Sequence, residues 1–134
     1  MRYNILFFLL LITTFISCEK DNKHTSLLGV WNCQEFPEQT SPRTYQVSIS
    51  RNTFLVDESN EYKISNFYQM GNSEDAEVYF YQDTISLELI IRPQTVRGTT
   101  FHGKGTVAVD FSEINWEYYA NSGSVNEKVI ATYY

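Results

Sequence analysis

The segment Gly98-Thr-Thr-Phe-His-Gly103-Lys104 has the G-x-x-x-x-G-K spacing with which backbone amides and a lysine cradle phosphate. The next residue is Gly105, where magnesium ligation asks for Ser or Thr. The helix that must follow such a loop is replaced by Thr106-Val-Ala-Val-Asp-Phe111, an alternating strand pattern, so glycines at strand turns account for the spacing. Metal chemistry lacks ligands: His24 and His102 lie far apart, and Cys33 is the one cysteine in the body of the chain. Asp57-Glu58…Glu61 and Glu74-Asp75-x-Glu77 lack the order of a calcium loop and read as solvated turns. No strained nucleophile turn is visible for Ser-His-Asp chemistry. Nothing in the spacing sets Glu88, Asp110, Glu113 or Glu117 across a cleft, as glycoside hydrolysis requires. Cys33 has no adjacent base and reads as a small core hydrophobe. The sequence predicts neither catalysis nor a cofactor.

Aromatic residues are the less neutral feature. Beyond residue 17 the chain has 117 residues, 17 of them aromatic and nine of these tyrosine. Val78-Tyr-Phe-Tyr81 and Tyr118-Tyr119 place rings on both faces of their strands. One face must be core. The other presents rigid apolar area with hydroxyls, suited to stacking on sugar rings or seating a partner protein. The candidate ligand contacts are Tyr79, Tyr81, Trp116, Tyr118 and Tyr119. Strand propensity and cross-strand pairing are the competing explanation for the same rings.

The elements that must position these residues are strands. Tyr45, Val47 and Ile49 share one face of 43–50; Ile85, Leu87, Leu89 and Ile91 share one of 84–91. Val107, Val109 and Phe111 alternate in 104–111, and Ile114, Trp116 and Tyr118 alternate in 113–120. With 29–36, 61–68, 76–82, 94–101 and 126–133, this predicts nine strands, and 52–56 is a short extra candidate. Turn signals fall at Pro37, Pro42, Asn60, Gly71-Asn72, Pro93, Gly98, Gly103 and Asn121-Ser-Gly123. Eight or nine short-linked strands predict an all-β, up-and-down antiparallel barrel, which removes exposed edges; a β-sandwich is the alternative.

The chain opens on MRYNILFFLLLITTFISCEKDNK, in which Arg2 precedes a 12-residue uncharged run, Ile5 to Ile16. That run has the size of a signal-peptide core and is short for a spanning helix, which takes about 20 apolar residues. Phe15-Ile16-Ser17-Cys18 resembles the lipobox of bacterial lipoproteins, with Phe where Leu is usual. The resemblance implies cleavage before Cys18 and a diacylglyceryl thioether on it, an anchor to the outer membrane of the cell envelope. A plain secretory signal and a retained span are the alternatives. Glu19-Lys20-Asp21-Asn22-Lys23 resembles the tract that follows the lipid cysteine in surface-exposed lipoproteins of Bacteroidetes. The resulting organisation is a signal peptide at 1–17, a lipid-anchored tether at 18–26 containing His24, and one domain at 27–134. Asp83-Thr84-Ile85 resembles the O-glycosylation site of exported Bacteroidetes proteins, which implies modification of Thr84.

Leu27-Leu28-Gly29-Val30-Trp31 resembles the Leu-x-Gly-x-Trp start of lipocalin-like (calycin) barrels. Gln94-Thr95-Val96, Gly103-Lys104-Gly105-Thr106, Trp116-Glu117-Tyr118 and Ala131-Thr132-Tyr133 extend it loosely to small lipocalin-like lipoproteins of Bacteroidetes. The resemblance implies a structural role for Gly29 and for Trp31, which would plug the barrel base. The family's arginine over that tryptophan is missing, and only Lys128 is available in the last strands.

Without the first 17 residues, 16 acidic side chains stand against nine basic ones. That balance excludes a basic nucleic-acid face and charge-driven docking on anionic lipid. The expected function is binding of a small apolar molecule in the barrel or of a glycan on the outer tyrosines. The alternative is an accessory subunit of an outer-membrane complex, contacting an envelope protein.

Overall fold

The computed structural model describes residues 24–53 and 60–134. Eight antiparallel strands form a closed barrel in chain order: β1 (Gly29–Pro37), β2 (Arg43–Arg51), β3 (Glu61–Ser65), β4 (Val78–Gln82), β5 (Leu89–Val96), β6 (Thr99–Val107), β7 (Ile114–Asn121) and β8 (Asn126–Tyr133). The final pairing of β1 with β8, from Cys33↔Tyr133 to Pro37↔Val129, closes the barrel and excludes a sandwich. Strict alternation drives this architecture: in β7, Ile114, Trp116, Tyr118 and Ala120 are buried while Asn115, Glu117, Tyr119 and Asn121 are exposed.

Up-and-down order gives the barrel two ends. At the entry end the chain arrives through 24–28, β2 ends and β3 begins, and the connections 83–88 and 108–113 turn. At the opposite, capped end lie the connections 38–42, 66–77, 97–98 and 122–125. Within 66–77 are two short 3-10 turns, Phe67–Gln69 and Glu74–Ala76.

Several expected boundaries move. The nine predicted strands become eight because 84–91, 94–101 and 104–111 are recut as β5 and β6. Pro93 does not end a strand; β5 runs through it with a register shift between Ile91 and Gln94, a bulge that tolerates the missing N–H. Gly103 is likewise inside β6, and the real turn is Arg97-Gly98, both at positive φ (48° and 78°). Residues 84–88 form a turn, not a strand, and expose Ile85 and Leu87; Val109 is exposed in the 108–113 turn. The expected strand 61–68 stops at Ser65, and 76–82 starts at Val78. Most of 52–56 lies outside the described residues.

Gly103 and Gly105 have a packing reason. They pair with Tyr118 and Trp116 on β7. A Cβ on Gly105 would lie 2.6 Å from the Trp116 ring, and one on Gly103 2.4 Å from the Glu117 carbonyl oxygen. Bare backbone on β6 therefore makes room for the two large β7 side chains. The interior is filled: Trp31, Trp116, Tyr118, Tyr133, Phe67 and Phe101 are all less than 2% exposed. Cys33 is buried among them, as expected, and burial pushes its thiol far above the ordinary range, with the Glu35 charge adding to the effect.

Candidate functional site

The five aromatic candidates do not form one surface. Trp116 and Tyr118 point into the barrel at 1% and 0% exposure, so they belong to the core and leave the candidate binding face. Tyr119 points outward on β7, its ring stacked on His102 with centroids 5.1 Å apart. Tyr79 and Tyr81 are half-buried on the outer face of β4 and line a groove of about 220 Å³ with Glu61, Phe80, Ile90, Arg92 and Gln94.

That groove exists because the β4–β5 seam opens. Only Tyr81↔Ile90 and Gln82↔Leu89 pair across it before the Pro93 bulge turns β5 away. The Gln94 side chain then closes the ladder as a peptide group would. Its Nε2 donates to the Tyr79 carbonyl at 2.6 Å, and its Oε1 accepts from the Tyr79 N–H at 2.8 Å. The Arg92 guanidinium lies 4.3 Å from the Tyr81 ring centroid and 3.8 Å from the Glu61 carboxylate. Aromatic faces, a carboxylate and an exposed guanidinium thus meet at one seam. A second groove shares Ile90 and Arg92 with the first, and a third shares Glu88, Lys104 and Glu117 with the second. Glu88 and Glu117, which the spacing alone did not bring together, do line one groove. Each is held by a lysine, Glu88 by Lys104 at 3.8 Å and Glu117 by Lys128 at 3.1 Å. Both carboxylates are well exposed.

Sequence reasoning missed the polar cluster at the capped end. The Glu35 carboxylate is fully buried; it accepts from Arg43 Nε at 2.7 Å and from the hydroxyls of Tyr45 and Tyr118. Burial and the neighbouring charge of Glu35 drive both phenols far above their ordinary pKa. Burial alone would lower the Arg43 pKa, yet the bond to Glu35 outweighs it and the net shift is upward. The second carboxylate, Glu127, accepts from the Tyr68 hydroxyl, the Gln39 N–H (3.0 Å) and the Thr40 hydroxyl (3.2 Å). Arg43 also lies over the Tyr68 ring, 4.0 Å from its centroid.

The cap over this cluster is the loop 66–71. Asn66, Tyr68 and Gln69 all have positive φ (61°, 52° and 61°), a conformation that costs non-glycine residues about 1 kcal/mol or more each. Asn66 ties the loop shut, accepting from the Gly71 N–H (2.9 Å) and donating to the Gln46 carbonyl (2.8 Å). Phe67 is buried against Phe101 and Tyr118. The acidic tract that follows is used internally. Arg97 grips Asp75 through two bonds (2.8 and 3.0 Å) and holds its carboxyl at about 2, while Lys63 pairs with Glu77. The sequence carries one partial signal of the cluster: Glu35, Arg43 and Glu127 occupy inward parity beside Cys33, Tyr45 and Val129, though parity does not show that they meet.

The remaining predicted sites are structural or terminal. Trp31 is buried at the entry end, its Nε1 donating to the Leu27 carbonyl at 3.0 Å. The ring that covers it is His24, stacked at 3.6 Å. The expected tether 18–26 therefore does not run free to its last residue. Lys128 lies outside the barrel on Glu117. Gly29 has φ +129° and approaches His24, a conformation that L side chains rarely adopt. Thr84 is exposed in the 83–88 turn, which Asp83 fixes by accepting from the N–H groups of Ile85 and Ser86. Cys18, the expected signal segment 1–17 and the carboxylates Asp57 and Glu58 lie outside the described residues. Among the described residues no helix is long and apolar enough to cross a membrane, and no three His, Cys, Asp or Glu are placed to hold a metal ion. No protein-family model and no curated protein matches the chain.

Proposed function

We propose that the protein is an exported, lipid-anchored β-barrel module of the cell envelope, held to the outer membrane through Cys18, that binds a glycan on its outer wall. The observation that carries the reading is the contrast between a filled interior and an open β4–β5 seam. Six large aromatic side chains occupy the space where a small apolar ligand would sit. Outside, Tyr79, Tyr81, Arg92 and Glu61 offer ring faces beside hydrogen-bonding charges. At about 220 Å³ the groove is smaller than the ~300 Å³ at which enclosing pockets begin, which suits one sugar ring of a longer chain. Kinship with lipocalin-like lipoproteins is part of the proposal; the eight-strand closure and the buried Trp31 support it. Acylation of Cys18 and glycosylation of Thr84 belong to the same proposal, and Thr84 is exposed as a modifying enzyme needs. The module acts by binding, without catalysis.

Titration calorimetry against a panel of soluble oligosaccharides tests this. Binding should appear in the wild type and fall at least about tenfold in Tyr79→Ala and Arg92→Ala, with urea unfolding midpoints unchanged. Absence of binding to every sugar, or loss only in variants that also unfold, overturns the glycan reading. One observation favours an accessory subunit instead: Phe36 and Ile130 face outward as a cross-strand pair, 46% and 43% exposed. Recovery of one stoichiometric envelope protein, lost in Phe36→Ser, would mark that outcome.

A further inference from the structure

Exposed apolar side chains are unevenly distributed over the barrel. Of the nine large hydrophobics exposed among the described residues, Leu28, Val30, Ile85, Leu87, Val109 and Tyr134 lie at the entry end. Three of them sit on connections, at 93% exposure for Ile85, 60% for Leu87 and 101% for Val109. The turns at the capped end carry Arg97-Gly98 and Ser122-Gly-Ser124 instead.

Turn positions ordinarily take Gly, Asn, Asp or Ser. Leu87 departs from this at a backbone φ of 60°, where a leucine is disfavoured and an asparagine tolerated. It gains no packing there. The Asp83 bonds to Ile85 and Ser86 fix the turn with both aliphatic side chains in solvent. The 108–113 turn sorts its residues in the same way: Phe111 packs against the core, and Val109 is left wholly exposed.

The chain itself indicates what covers this end. His24, stacked on Trp31, brings the N-terminal segment to the entry end, and Cys18 lies six residues before it. Six residues reach at most about 20 Å. An anchor at Cys18 therefore holds this end, and not the capped one, close to a bilayer. The flanking charges Asp83, Asp110 and Glu113 outnumber Arg51, which ends β2 on this side, and so favour apolar insertion into a zwitterionic surface over attraction to anionic headgroups. The geometry points to the entry-end turns as a membrane-docking rim, with Ile85, Leu87 and Val109 seated among the lipid headgroups and upper acyl chains. Docking would hold the barrel upright, with its wall and the β4–β5 groove facing sideways. This inference rests on the lipid-anchor part of the proposed function.

The test uses the full acylated chain reconstituted into phosphatidylcholine vesicles containing lipids with a quencher at a shallow acyl position. A fluorophore is attached at Val109→Cys or, as the far-end control, at Ser124→Cys; the buried Cys33 thiol is protected from labelling. Vesicle flotation reads the anchor separately from the docking. The expected result is flotation of both proteins, with quenching at 109 at least about threefold that at 124 and insensitive to 0.5 M salt. Adding Ile85→Ser and Leu87→Asn should reduce quenching at 109 to the level at 124. Flotation with equal quenching at the two sites, or no effect of those substitutions, overturns docking and leaves the anchor standing. Failure to float overturns both.

Discussion

The two ends of the barrel are closed by opposite means. At the entry end, Trp31 is sealed by the His24 ring, and its one polar atom is satisfied by the Leu27 carbonyl. At the capped end lie all three buried carboxylates among the described residues, Glu35, Glu77 and Glu127, each with its own donors. An apolar plug draws its stability from area and contact and weakens in proportion to what is removed. A buried charge network is stable only when complete, because a lost partner leaves a desolvated charge behind. Two closures of one sheet should therefore respond differently to the same kind of damage.

The largest effect should come from the apolar end. Trp31→Ala removes a fully buried ring and the surface on which His24 stacks, and should cost about 3–5 kcal/mol. Urea unfolding measures it, and a loss below about 1 kcal/mol would show that the entry end collapses freely around the gap. The charged end comes next. Glu35→Ala strips Arg43, Tyr45 and Tyr118 of their shared acceptor and should cost about 3 kcal/mol. Its signature is recovery: adding Arg43→Met removes the stranded guanidinium and should restore part of the loss. A double variant no more stable than Glu35→Ala would mean that the end is held by packing, as the other is, and would erase the contrast.

These two ends were unequally legible in the sequence. The entry end rests on Leu27, Gly29 and Trp31, neighbours in the chain whose role the lipocalin-like resemblance implied, although His24, which covers Trp31, was expected in the tether. The capped cluster draws Glu35, Arg43, Tyr68 and Glu127 from four separate segments, and only barrel closure sets β1, which carries Glu35, beside β8, which carries Glu127. Inward parity marked each of the strand residues, but a lone charge at such a position is indistinguishable from a strand-end residue until the register is known. The strand count failed for another local reason. Ile85-x-Leu87 and Val109-x-Phe111 have the period of a strand without the pairing. Pro93 and Gly103 have the chemistry of turns, while the bulge and the Trp116 and Tyr118 side chains require them inside strands. The outer groove was half legible: Tyr79 and Tyr81 followed from alternation, whereas Arg92 and Gln94 depended on the bulge.

The smallest expected effect separates the ends by pH. Burial disfavours the charged form of His24, so its pKa in the folded protein lies below 6.5. Between that folded value and 6.5 the unfolded chain binds more protons; stability from His24 is complete above pH 6.5 and declines as pH falls below it. Burial by itself would raise the Glu127 pKa, but the Tyr68 hydroxyl, the Gln39 N–H, the Thr40 hydroxyl and the Arg43 charge outweigh it, and the net shift is downward. Its contribution is therefore intact above the ordinary glutamate value of 4.5 and lost as pH falls through the lower folded one. Acid should thus loosen the entry end first and the capped end second. His24→Phe keeps a stacking ring without a titrating nitrogen and should flatten the unfolding curve where pH falls below 6.5 while leaving the fall below 4.5. Glu127→Gln should do the reverse, at lower overall stability. If His24→Phe instead removes the fall below 4.5, the histidine is coupled to the carboxylate cluster, and the two ends do not titrate as independent closures.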